Sequence, residues 1–139
     1  MNTKRFLIGV LVVWVTLFIY EGLLHAVALA GAYDMIRNIL RPEGENPAMF
    51  FVLVGFAELV LALGFCFIFT KGYENKGIME GVRFGFYTGL TFGLFFYVSQ
   101  MAVYPIHAWL TFALAAGFVV ELILAGVVFA AIYKPKAGS

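Results

Sequence analysis

KGYENKGIMEGVRFG, residues 71–85, is the longest stretch of this chain that is both charged and interior. Two long apolar segments precede it and two follow it. That arrangement reads as a loop joining two helical hairpins and running directly into a third apolar helix. The whole chain is 139 residues, about the size of one domain. It is 63% apolar and only 12% charged, with a mean hydropathy of +0.97, where a soluble domain averages about 25% charged. Such a chain cannot cover a water-facing surface with polar groups and needs lipid as its solvent. The expectation is an all-α integral membrane bundle of four transmembrane helices, a single domain over residues 1–136 with a tail at 137–139. The helices are predicted at about 6–30, 48–70, 82–104 and 108–133, each at least the roughly 20 residues that span a bilayer.

The net charge of +1 argues against a nucleic-acid partner, which would want clustered Lys and Arg. Cys66 stands alone in an apolar run. It has no partner for an internal disulfide and reads as a small buried hydrophobe. The first apolar segment competes with a signal-peptide reading, because Ala28-Leu29-Ala30 resembles a cleavage site. Its length, and Glu21 and His25 within it, favour a retained helix. Between the first and second segments, residues 33–40 suggest a short interfacial helix with Tyr33, Ile36 and Leu40 on one side, and Pro42, Gly44 and Pro47 then break the chain. Lys4, Arg5, Lys71, Lys76, Arg83, Lys134 and Lys136 fall on one side, Arg37 and Arg41 on the other. By the positive-inside rule both termini and the central loop are cytoplasmic, in what reads as a bacterial inner membrane.

ELVLALGFCFIFTK, residues 58–71, aligns without a gap on ELILAGVVFAAIYK, residues 121–134. Arg5-Phe6 and Arg83-Phe84 open the other two segments alike. The halves read as two hairpins in the same orientation, a parallel repeat about an axis along the membrane normal. Resemblance through apolar composition alone is the competing explanation.

Gly81, Gly85, Gly89 and Gly93 recur every fourth residue in the third segment. They form one bare ridge, the device by which membrane helices approach closely. In the fourth segment Gly117 and Ala125 flank Glu121 at the same spacing, which turns that acid toward protein. Glu58 and Glu121 each lie about 13 residues from a terminal Lys, about 20 Å up the helix at about 1.5 Å per residue, near mid-membrane. Ionised groups at that depth are costly and seek partners. The two acids are therefore protonated, or share a proton or a cation. The plainer reading is two neutral acids that hold the bundle in register. Glu21 and His25 stand one turn apart near the other end, where Gln100, Tyr104 and His107 also share a face. A polar cluster of those five, under the loop acids Glu43 and Glu45, would suit a metal, and two histidines could clasp a haem. Spacings of the HExxH kind are missing, and a hydrogen-bonded interfacial histidine is the commoner case. In the central loop Lys71, Glu74, Lys76, Glu80 and Arg83 alternate in sign. Glu80 complements the helix dipole, and the loop is expected to be ordered and to set the spacing of the hairpins.

No phosphate-binding glycine loop and no nucleophile elbow is present. Their absence argues against an enzyme without closing that possibility. YEGLLHAVALAGAY (20–33), LRPEGE (40–45) and FTKGYENKGIMEGVRFGFYTGL (69–90) together resemble a family of small four-helix inner-membrane proteins of bacteria, of no assigned activity. The resemblance covers most of the chain and is most specific in the central loop. It implies the same four-helix architecture, and singles out Glu21, His25, Arg41, Glu45, Glu58, Lys71, Glu74, Glu80 and Arg83. Three functions are open on the sequence. One is a small transporter or ion-binding bundle built on Glu58 and Glu121. The second is a homo-oligomer or an accessory subunit of a larger membrane complex, packed through the glycine ridge. The third is a redox or metal protein using His25 and His107.

Overall fold

The computed structural model describes residues 2–40 and 46–134. Arg41, Glu43 and Glu45 of the first loop, Pro42 and Gly44 beside them, and Lys136 and the tail lie outside the described residues. Four helices are long and apolar enough to cross a membrane, and no strand occurs among the described residues. The first is α1, Thr3–Leu23. It is followed by a π turn, Leu24–Ala28, then by α2, Ala30–Tyr33, and a 3-10 turn, Asp34–Ile39. The long helices α3, Pro47–Lys71, α4, Ile78–Val103, and α5, Ala108–Ile132, complete an all-α four-helix bundle.

Two boundaries differ from the sequence expectation. The end of the first segment is not α-helical: Leu29 N–H donates to the Leu24 carbonyl, five residues back. The third helix starts at Ile78, ahead of its apolar run, because Glu80 organises its N-terminus. Glu80 sits in the first turn, buried, and its two carboxylate oxygens accept from the backbone N–H groups of Glu74 (2.5 Å) and Lys76 (2.8 Å). The side chain ties the preceding loop to the helix that it begins, a variant of the capping box. Asn75 and Gly77 take positive φ to make the turn. Lys76 pairs with Glu74 and holds the Glu74 carboxyl below its usual range. The loop also leans on aromatic rings: Tyr73 packs edge-on to Tyr133 and against Phe69. At the other end, α2 and the 3-10 turn fold back so that Ala32 and Ile36 are buried with Leu110 and Leu114. Leu40 is exposed rather than on their side, because the 3-10 turn ends at Ile39 and Leu40 has extended backbone.

α4 and α5 form the closest pair. Gly81, Gly85, Gly89 and Gly93 face α5 and are buried. A Cβ at Gly81 would strike the Gly126 carbonyl, and one at Gly85 the Leu122 carbonyl. At Gly89 it would stand 2.8 Å from Val119 Cα. The ridge is therefore filled by the chain's own next helix. α1 lies against both α3 and α5, presenting Phe6, Val10, Val13 and Leu17 at helical spacing. Between the helices at the loop end, Phe69 meets Phe84 and Phe129 edge-on, and Phe6 meets Phe129. The outer surfaces stay apolar, as with Phe50, Phe51, Val52 and Phe56 of α3, which is the pattern of helices bathed in lipid.

Two outcomes follow for the detergent-solubilised protein. Gly85→Leu is expected to cost at least the upper part of the about 1–3 kcal/mol typical of overpacking, because backbone rather than a side chain blocks the new atoms; Gly64→Ala, which meets nothing within 4 Å, should leave the melting temperature unchanged or raised. Glu80→Ala should remove about 1.5–3 kcal/mol for charge-assisted hydrogen bonds and speed amide exchange at Glu74 and Lys76; unchanged exchange there would show that the loop is held by something else.

Candidate functional site: a three-carboxylate centre

Glu21 of α1, Glu58 of α3 and Glu121 of α5 converge in the bundle. One carboxylate oxygen from each lies within 4.8 Å of the others. Glu121 is fully buried and Glu58 is 8% exposed. Oε2 of Glu58 and both oxygens of Glu121 have no hydrogen-bond donor. The site thus gathers acceptors and negative charge, and among the described residues no donor meets these three buried oxygens. A proton or a metal ion provides what is missing: one proton between two of the acids makes a donor, and an oxygen-only set suits hard cations such as calcium, magnesium or manganese.

Local structure explains why the three meet. Glu21 continues the buried stripe of Val10, Val13 and Leu17 one turn further along α1. Glu58 begins the buried stripe of α3, followed by Ala62, Phe65 and Phe69. Glu121 lies between buried Gly117 and Ala125 on α5. Two polar clamps fix the helices in register. Trp14 Nε1–H donates to the Gly55 carbonyl, 2.8 Å, one turn from Glu58. The Tyr20 hydroxyl donates to the Gly117 carbonyl, 2.9 Å, one turn from Glu121. A Cβ at Gly117 would lie 2.7 Å from Leu24 Cδ2, so that glycine also lets α1 approach.

His25, one turn beyond Glu21, places Nε2 2.7 Å from Glu21 Oε2. Its Nδ1 meets the Tyr33 hydroxyl, and the two rings stack with centroids 5.6 Å apart. A neutral imidazole satisfies both contacts when Nε2–H donates to Glu21 and Nδ1 accepts from Tyr33. Burial, and then the charge of Glu21, push the Tyr33 phenol up to about 12, so it keeps the proton that it donates.

Of the residues expected near that end, Glu21 and His25 join this centre. Gln100 is partly buried, and Tyr104 and His107 are exposed. Among the described residues no hydrogen bond, ion pair or ring contact joins these three to His25 or Glu21. His107 instead precedes α5 and accepts from Leu110 and Thr111 through its backbone carbonyl. Both ring nitrogens of His25 have partners, Glu21 and Tyr33. Lys71 lies over the Phe67 ring, 4.9 Å from its centroid, and the loop acids Glu74 and Glu80 are occupied within the loop. Trp14, Tyr20 and Gly55 were not singled out as a clamp by the sequence. The available signals were a glycine one turn before each mid-helix glutamate, and the near-equal depth of Glu21.

The fold and the centre define a small membrane protein with four apolar helices of spanning length around buried acids. No protein-family model matches the chain, and no curated protein and no solved structure matches it either.

Glu121→Met should raise thermal stability in detergent, since an unsatisfied buried polar group costs about 1–3 kcal/mol; Tyr20→Phe should lower it by about 0.6–1.7 kcal/mol, the range for hydrogen bonds between membrane helices. A destabilised Glu121→Met protein would mean that the carboxyl is satisfied.

Proposed function

We propose that this protein is a small ion-binding membrane protein of the transporter type, whose Glu21, Glu58 and Glu121 hold a proton or a cation at mid-membrane. The observation that carries the reading is the convergence of three acids from three helices with no donor for the buried oxygens of Glu58 and Glu121. Two carboxylates about 4 Å apart repel by about 4 kcal/mol at an effective dielectric of about 20. Three together without a counter-charge would push the helices apart. Such acids inside a membrane mark ion pathways and proton relays by default. The alternative, neutral acids that only hold the bundle in register, is the weaker reading because the clamps of Trp14 and Tyr20 already do so.

The excess of Lys and Arg on the loop side supports a cytoplasmic loop and cytoplasmic termini in a bacterial inner membrane. Association with copies of itself or with a larger complex would use the lipid-facing apolar surface, since α5 already fills the glycine ridge.

In proteoliposomes carrying a proton or cation gradient, the wild-type protein should support uptake. Glu58→Gln and Glu121→Gln should each reduce it to the background of empty vesicles. Equal flux in the wild type and both variants would sink the reading.

A further inference from the structure

We propose that the carboxylate centre exchanges protons with only one side of the membrane, the side of the turn between α4 and α5, along a wire of Tyr33, His25 and Glu21. The inference rests on the centre's being a proton site and adds the route by which it fills. Three structural features carry it.

The first is continuity. Tyr33 touches His25, His25 touches Glu21, and Glu21 lies within 4.8 Å of Glu58 and Glu121. No apolar side chain interrupts that line. The second is a gradient of access. The side chains of His25 and Glu21 are 33% and 19% exposed, while Glu58 and Glu121 fall to 8% and 0%. The third is closure at the opposite end. Below the acids the helices meet through Leu17, Val13, Leu122 and Cys66, then through the rings of Phe69 and Phe129, all buried. The side chains of Leu17, Val13, Leu122, Phe69 and Phe129 carry no exchangeable proton and the Cys66 thiol is fully buried; the phenols of Tyr133 and Tyr73 stand only beyond them, at the loop end.

The chain is shaped to make the wire. The π turn Leu24–Ala28 carries His25 and adds a residue to the helical repeat. Such turns recur at functional positions. The short helix α2 then brings Tyr33 back over the imidazole. The titratable groups that face His25 are Glu21 of α1, Tyr33 at the end of α2 and Glu58 of α3, and Tyr97 of α4 and Glu121 of α5 lie behind them, near Glu21 and Glu58. Only Glu21 and Tyr33 bond to it.

The transfer balances. A proton from water on the turn side reaches the Tyr33 oxygen as the phenol proton passes to His25 Nδ1. The Nε2 proton passes to Glu21 Oε2. One proton has entered and one has reached the centre, and Tyr33 is again a phenol. The imidazole is left neutral with its proton on Nδ1, and the part-exposed ring resets by giving that proton to water and taking one from water at Nε2. His25 is a relay in this scheme and does not itself hold the bound ion.

Infrared spectroscopy tests the wire without any transport assay. Protein in lipid vesicles is moved from light to heavy water, and the protonated-carboxyl band that disappears in Glu121→Gln reports the centre. Deuterium should enter that band about 10²-fold more slowly, or slower still, in His25→Ala, the low end of the usual contribution of a positioned acid–base group. Added imidazole should restore the rate, which a merely structural role of His25 would not allow. Tyr33→Phe keeps the ring over the imidazole and should also slow exchange; should His25→Ala not fold, this variant decides. Exchange at the wild-type rate in either folded variant overturns the wire and leaves the protonated centre standing. A wild-type protein with no carboxyl band sensitive to Glu58→Gln or Glu121→Gln overturns the proton centre, and the wire with it.

Discussion

The backbone contact between α4 and α5 is the constraint on which the rest of the structure depends. Lipid removes the hydrophobic drive that joins helices in water, so the pair must be held by close packing. Gly81 and Gly126 supply it by presenting bare backbone to each other, and Gly85 admits the Leu122 carbonyl in the same way. This rigid hairpin gives α5 a fixed orientation. Its other side then carries Ala125 and Phe129 toward α1 and α3, and with them Glu121.

On that platform a costly feature is accommodated. Helices could pack without placing acids at mid-membrane, and here each of three helices contributes one. The acids bring no donors with them. What aligns the helices is a separate set of contacts: an indole to Gly55 and a phenol to Gly117. In both, a glycine leaves the carbonyl accessible to a bulky donor from α1. Alignment is thus carried by side chains other than the three carboxylates.

The two ends of the molecule are built differently. At the loop end, aromatic rings interlock and Glu80 ties down the turn through two backbone amides. At the other end the path from α1 to α3 is wound as π, α and 3-10 pieces, and polar groups run inward from Tyr33. Irregular backbone near a membrane is tolerated where it is buried in protein, and here Ala32 and Ile36 bury it against Leu110 and Leu114.

By itself the sequence determined the class of fold, because four apolar runs of spanning length have few other uses in water or lipid. It also determined the glycine ridge, through its strict spacing of four, and the mid-helix position of Glu58 and Glu121, through helical rise. The order of the central loop was legible in Glu80, whose place in the first turn suits the helix dipole. Tertiary structure alone decided which helix fills the ridge, since spacing describes one face and not its partner. It alone brought Glu21 to Glu58 and Glu121 and left Gln100, Tyr104 and His107 apart, because helix rotation and crossing are set by contacts distant in sequence. The π turn and the return of Tyr33 to His25 were also invisible beforehand. Nothing in LHAVA (24–28) distinguishes five-residue hydrogen bonding from the ordinary helical kind.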